Sequence, residues 1–266
     1  MQWTPQTLAL HDSDRMVSVI HEIADDTRPI GDGVMGFSYP GAWPSRVTGL
    51  GMREPVTDQM LQDVVAFYRG RQSTIKLYAS PYSHPSLWEQ LRLHGFSIDD
   101  WDSVLFWDLT EPLIESEDAV AYEFANIDQH SQMTTKHELA KANLMGFSDV
   151  LTEPTVGLAL KVIDHPRTEF IGLWQDDACV ATAGLEYYQQ GATLITGSVL
   201  SDYRRRGIHC SMILERLKIA RDRGSSYALI ASSPGAATER NALRSGARLV
   251  YHQPVFVFTY PSEEGL

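Results

Sequence analysis

The chain has 266 residues and a mass of 29.8 kDa, between one large domain and two ordinary ones in size. A composition of 43% apolar and 21% charged residues excludes wholesale disorder. With 22 Lys and Arg against 34 Asp and Glu, the net charge is −12 with histidine neutral, which argues against duplex nucleic-acid binding by counterion release. No run nears the roughly 18–20 apolar residues of a membrane span. Residues 1–5 lack the basic and apolar regions of a secretion signal. Cys179 and Cys210 are too few for a disulfide framework. The expected setting is the cytoplasm, with no membrane and no nucleic acid as partner.

The first element with a clear pattern is a helix over residues 60–68, closed by Gly70. A short strand from Ile75 runs to a Ser80-Pro81 stop, a helical pattern carries Leu87 and Leu91 and closes at Gly95, and the apolar run 104–107 follows. Residues 109–118 mix Pro112 with acids and lose periodicity, which marks a boundary. Beyond it, helices are predicted over 132–142 and 154–163, with a turn at Met145-Gly146-Phe147 between them. Strands over 169–174 and 178–188 flank the turn Gln175-Asp176-Asp177. A third strand, 192–200, flows into a turn at 204–207, and a long helix covers 210–223 with Met212, Ile213, Leu217 and Ala220 on one face. Residues 227–232 then form a strand with its own Ser233-Pro234 stop, a helical stretch closes at Gly246, and the apolar run 255–258 ends the pattern. The order strand, Ser-Pro, helix, glycine, strand thus occurs twice. It points to an internal duplication, with predicted domains at 1–112 and 118–266. A meander followed by crossover helices predicts an α/β fold with a mixed sheet.

Charge is concentrated in one place. Between Arg204 and Arg248 stand ten basic residues and only three acids, Glu215, Asp222 and Glu239. From Arg216 to Arg223 this reads as a solvated helix face with i,i+4 pairs. Arg204-Arg205-Arg206 does not, because three adjacent cations repel one another unless an anion lies among them. A strand ending near Leu200, a turn with Gly207 and the free N–H groups of a helix start make a small anion site. No Gly-Lys-Ser or Gly-Lys-Thr follows, so it is not a Walker loop, and the dinucleotide fingerprint is absent. The histidines show no His-x-x-x-His pair and there is no Cys-x-x-Cys, so no metal is expected.

The run from Val199 through Arg204-Arg205-Arg206-Gly207-Ile208-His209 resembles the acyl-CoA-binding motif of the GCN5-related N-acetyltransferase (GNAT) superfamily, Arg/Gln-x-x-Gly-x-Gly/Ala after a strand. His209 replaces the last small residue and Ser201 the usual proline. The resemblance covers residues 120–260. Residues 1–112 resemble only the back half of the same fold, with Gly49, Gly51 and Pro55 before the helix and no Arg-x-x-Gly. It implies two GNAT-like domains, each a mixed, mostly antiparallel twisted sheet flanked by helices, the N-terminal one degenerate. It also implies acetyl-CoA, or another acyl-CoA, as co-substrate. Backbone groups at Ser198, Val199 and Leu200 would pair with the pantetheine arm, N–H groups from Arg205 through Ile208 and His209 to Cys210 would hold the pyrophosphate, and the side chains of Arg204, Arg205 and Arg206 would neutralise phosphate. Asn241 would contact the pantetheine arm or else be a helix-surface residue.

For catalysis the resemblance implies direct transfer to an amine, helped by a proton acceptor and by an N–H such as that of Val199 on the thioester carbonyl. The glutamate frequent on the strand before the loop is missing. Glu186 is the best replacement base, acting through water, or a solvent-facing strand residue. Tyr187, Tyr188 and Tyr251 are candidate acids or packing residues. The leading expectation is an N-acetyltransferase acting on a small-molecule or peptide amine, as monomer or homodimer. The alternative is a non-catalytic acyl-CoA-binding sensor or interaction module.

Overall fold

Local chemistry sets the first helix: the Thr4 hydroxyl accepts the Thr7 N–H at 3.1 Å, and Pro5 takes the first helical position, where no intrahelical N–H bond is needed. The computed structural model describes residues 3–71, 73–114, 120–147 and 150–260. From the N-terminus the elements are α1 (Pro5–Ile23), β1 (Asp26–Ile30), β2 (Gly33–Phe37), β3 (Val47–Thr48), α2 (Asp58–Tyr68), β4 (Ile75–Tyr78), α3 (Ser86–Leu93) and β5 (Ser97–Asp108). After these come β6 (Ala125–Ile127), α4 (Met133–Gly146), α5 (Glu153–Ile163), β7 (Thr168–Gln175), β8 (Ala178–Tyr188), β9 (Gly191–Val199), α6 (Ile208–Asp222), β10 (Tyr227–Ser232), α7 (Ala237–Arg244) and β11 (Arg248–Phe258).

Two units form, Met1–Asp102 with Tyr251–Leu266, and Ser103–Val250. In the first, β1, β2 and β3 are antiparallel neighbours, β3 is parallel to β4, and β4 pairs antiparallel with Val255–Phe258 of β11. Its core gathers Met35, Val47, Leu61, Val64, Ile75 and Leu77, all fully buried, each contributing on the order of 1.5–3 kcal/mol by leaving water. In the second unit β6, β7, β8 and β9 are antiparallel neighbours, β9 is parallel to β10, and β10 pairs antiparallel with Ser103–Asp108 of β5. Its core includes Leu105, Trp107, Leu185, Leu194, Ile213 and Leu217, and the Trp107 indole N–H donates to the Ser245 carbonyl at 2.9 Å. Each unit is therefore a mixed, mostly antiparallel sheet flanked by helices, with its one parallel pair in the same place.

The repeat is real in topology but its closing strands are exchanged. The strand that ends the first strand–helix–strand unit pairs with β10, and the one that ends the second pairs with β4. The compact units accordingly differ from a cut between residues 112 and 118, part of which (115–119) lies outside the described residues. Other elements also differ from the sequence reading. Helix α4 continues through Gly146 instead of turning at 145–147, and β11 begins at Arg248 rather than Val255. Helix α1 and strands β1, β2, β3 and β6 had no counterpart in that reading. The four strands are only two to five residues long, too short for alternation to register.

The N-terminal counterpart of the arginine turn is filled by its own chain. Gly49 and Gly51 both adopt φ +79°, and the Asp32 carboxylate accepts the Gly51 N–H at 2.7 Å and the Arg53 N–H. Helix α2 is then closed by the Thr57 cap. An internal carboxylate thus occupies the N–H groups of this loop. Asp32→Ala leaves both donors without their acceptor and is expected to cost about 1–3 kcal/mol, read from the urea midpoint.

Candidate functional site

The site begins with a fault in the sheet. Thr182 faces Ser198, but Gly184 faces Ile195, so β9 carries one residue more than β8 across this step. Thr196 takes φ +46° there. The bulge is fixed from two sides: Asn143 Nδ2 donates to the Thr196 carbonyl at 2.7 Å, and Arg216 Nη1 donates to the carbonyls of Ile195 at 3.2 Å and Gly184 at 3.0 Å. On its other edge β9 pairs with β10 for three positions only, Gly191, Ala192 and Thr193 against Tyr227, Ala228 and Leu229. Beyond Thr193 the two strands part. A backbone edge without a strand partner is left facing the gap.

A cavity of about 580 Å³ lies at this opening, lined by Gly197, Ser198 and Val199 from β9, by Tyr203, Arg204, Arg205 and the residues from Gly207 to Cys210, and by Thr238, Asn241 and Arg244 of α7. Gly207 sits at φ +78° as the N-cap of α6, and no side chain caps that helix. The N–H groups of Ile208 and His209 therefore receive no capping side chain and present the positive end of the helix dipole. Arg205, at φ +62°, is exposed at the rim. This arrangement can hold an anion at the helix start and an extended polar chain along β9.

The three arginines do different things. Arg204 is a structural pin, Nε donating to the Val199 carbonyl at 3.0 Å and Nη2 to the Gly146 carbonyl at 2.7 Å. Arg206 donates to the Asp202 carbonyl at 2.8 Å, stacks on Tyr203 and does not line the cavity. Among the three, Arg205 is the one that lines the cavity without such a bond.

No family model and no curated protein matches the sequence. Solved structures are. A GCN5-related N-acetyltransferase from Kribbella flavida superposes with a TM-score of 0.67 over 99% of each chain at 14% identity. A tandem GNAT protein from the clavulanic acid biosynthesis pathway, without AcCoA, gives 0.66 over 97% of this chain and 95% of its own at 13% identity. A GNAT-family acetyltransferase from Novosphingobium aromaticivorans gives 0.60 over 96% and 99% at 14% identity. This is a tandem GNAT fold.

Within the GNAT fold of the second unit, Ser198, Val199, Arg204, Arg205, Gly207, Ile208, His209, Cys210 and Asn241 come together on the cavity, while Leu200 and Arg206 do not line it. Glu186 and Tyr187 lie elsewhere. Glu186 is 2% exposed with Arg167 Nη2 3.7 Å from its carboxylate. Tyr187 donates to Glu169 at 3.1 Å in a separate depression, and burial, with Glu169 beside it, raises its pKa. Tyr251 falls in the first unit, edge-on to Tyr82. Sequence reasoning missed Gly146, Gly197, Tyr203, Thr238 and Arg244. It also assigned Arg216 to a solvated face, whereas Arg216 is 1% exposed. The correction has a simple cause: α6 packs against the sheet at the position where the bulge turns carbonyls toward it. Among the described residues no helix is long and apolar enough to cross a membrane, and no cluster of His, Cys, Asp and Glu could hold a metal ion.

His209 has an unusual setting for a histidine in a phosphate-type turn. Asn241 Nδ2 donates to its Nδ1 at 3.0 Å, leaving the ring proton on Nε2. Burial, assisted by Arg216, pushes its pKa down to about 4. The folded protein keeps this ring neutral where the unfolded chain protonates it, so its contribution is complete above about pH 6.5 and is lost as pH falls toward 4. Between pH 7 and 5 the wild type should lose about 1–2 kcal/mol more stability than His209→Gln, measured by thermal unfolding at both values.

Proposed function

We propose that the protein is an acyl-CoA-dependent N-acyltransferase that moves an acetyl or other acyl group from CoA to a small-molecule or peptide amine. The observation that carries this reading is the meeting of an uncapped α6 N-terminus with the open edge of β9 in one cavity. The residues present suit the co-substrate. The N–H groups of Gly207, Ile208 and His209 at the helix start suit the pyrophosphate, Arg205 suits a further phosphate, and the backbone of Ser198 and Val199 with Asn241 suits the amides of the pantetheine arm; Leu200, whose N–H donates to the Val180 carbonyl at 3.0 Å, is left out of that set. The thioester supplies the activated acyl carbon. The Val199 N–H, on the strand edge beside the cavity, is the group proposed to polarise its carbonyl.

Proton removal from the amine is not assigned to Glu186 or Tyr187, because neither borders the cavity. That same fact favours one second reading, a non-catalytic acyl-CoA-binding sensor or interaction module. Two measurements separate these. Calorimetric titration with CoA and acetyl-CoA tests the cofactor, and thioester consumption with a panel of amines tests turnover. Binding without consumption selects the module; no binding by the folded protein removes both. Arg205→Ala should weaken CoA binding about 5- to 20-fold with Tm unchanged. Arg204→Ala should lower Tm as well, because its two hydrogen bonds tie the turn to β9 and α4.

A further inference from the structure

Among the described residues Arg216 stands first of the large, fully buried side chains, and none of them supplies its charge with a counterion. Nε donates to the Met212 carbonyl at 3.0 Å and Nη1 to the two carbonyls at the bulge, but Nη2 is buried with no hydrogen-bond partner. No carboxylate pairs with the guanidinium among the described residues. Burial lowers its pKa only to about 9, so it is charged at neutral pH. A buried, unpaired cation is a large penalty that an apolar residue of similar size avoids. Packing alone therefore does not explain it.

The direction of Nη2 supplies the explanation. Arg216 does not itself border the cavity but stands directly behind Gly197, which does: a Cβ built on Gly197 would meet Arg216 Nη2 at 3.4 Å and His209 Nε2, a lining residue, at 3.5 Å. Two donors thus converge on the side of β9 that glycine leaves bare, two residues before Val199. Nδ1 of His209 is held by Asn241, so the edge it turns to Gly197 is a donor rather than an acceptor. A neutral acyl group offers this spot nothing that balances a positive charge. A carboxylate does.

We propose that the inner end of the cavity is a carboxylate subsite, and that the acyl donor is the CoA thioester of a short dicarboxylic acid whose free carboxylate is taken up by Arg216 Nη2 and His209 Nε2. This rests on the acyl-CoA reading above. The transfer keeps its balance: the amine nitrogen bonds the thioester carbon, the C–S bond breaks, and the proton lost by nitrogen equals the one gained by the departing thiolate. The distal carboxylate is retained in the amide product.

The test compares malonyl-CoA with propionyl-CoA and succinyl-CoA with butyryl-CoA by calorimetry on the whole chain, with CoA alone as reference. At least one diacid thioester should bind 10- to 100-fold tighter than its neutral counterpart, as expected for a charge-assisted hydrogen bond freed of its desolvation cost. In Arg216→Met, checked for a cooperative thermal transition, the two members of each pair should fall within about twofold. Should that variant not fold, Gly197→Ala sets a methyl before both donors at ordinary contact distance and should erase the preference. Equal affinities within both pairs, with CoA itself bound, overturn the subsite and leave the acyltransferase reading standing. A preference that survives both variants overturns the assignment to Arg216. Folded wild type that binds neither CoA nor any thioester overturns this proposal and the function beneath it.

Discussion

Gly207→Val should lose CoA affinity by about 100-fold or more in a calorimetric titration while the protein stays folded. At φ +78° a β-branched side chain collides with its own backbone, at a cost of order 1–3 kcal/mol. The turn can relieve that strain only by rotating, and rotation redirects the N–H groups of Ile208, His209 and Cys210. The donors that are proposed to hold the pyrophosphate are then lost together, not one at a time. Gly224→Ala is the matching control. Gly224 sits at φ +86° just beyond the other end of α6, with open space around its Cβ position. It should show a comparable strain cost in Tm and no change in binding. If both variants lose stability equally and bind CoA equally, the turn is not the cofactor site.

The reasons these two glycines differ also explain what was legible in the sequence. The turn from Arg204 to Cys210 announces itself through residue types: glycine where only glycine fits, cations without acids, a strand before and a helix after. All of that is local. The opening between β9 and β10 is not local. It depends on which strands are neighbours and on where pairing stops, and Leu194 and Ile230 look like any strand residues. The bulge at Thr196 is silent for the same reason, since a threonine at φ +46° is held there by Asn143 from another element. Arg216 has the strongest claim of all. Its place in a helix among Glu215, Lys218 and Arg221 predicts a solvated face, and only the packing of α6 on β8 and β9 turns it inward. Strand exchange was invisible on principle: two strand–helix–strand units of the same order supply equivalent edges, and nothing in either names its partner. The duplication, the order of elements and the anion turn were readable; the geometry that turns them into one cavity was not.

Gly146 belongs to that unreadable geometry and carries the second large effect. Placed inside a helix, it looks like a weak point, and its replacement by alanine in an exposed helix would stabilise by about 1 kcal/mol. Here it marks where α4 comes closest to β9. A Cβ on Gly146 would stand 2.6 Å from both Cβ and Oγ of Ser198 and 3.3 Å from the Val199 nitrogen. Ser198 is buried and its hydroxyl donates to the Ala142 carbonyl, so it has nowhere to retreat. Helix and strand must separate, and the Arg204 bond to the Gly146 carbonyl and the Asn143 bond to Thr196 are strained with them. Gly146→Ala should therefore destabilise by about 1–3 kcal/mol and weaken CoA binding, because Val199 and Arg204 move with the strand end. Gly157 in α5 has open space at its Cβ position, so Gly157→Ala should raise Tm instead. Opposite signs from the same substitution in two helices of one unit would locate the effect in the α4–β9 contact. Two stabilising results would mean that the approach at Gly146 is looser than 2.6 Å implies, and that Arg204 does not hold the turn through it.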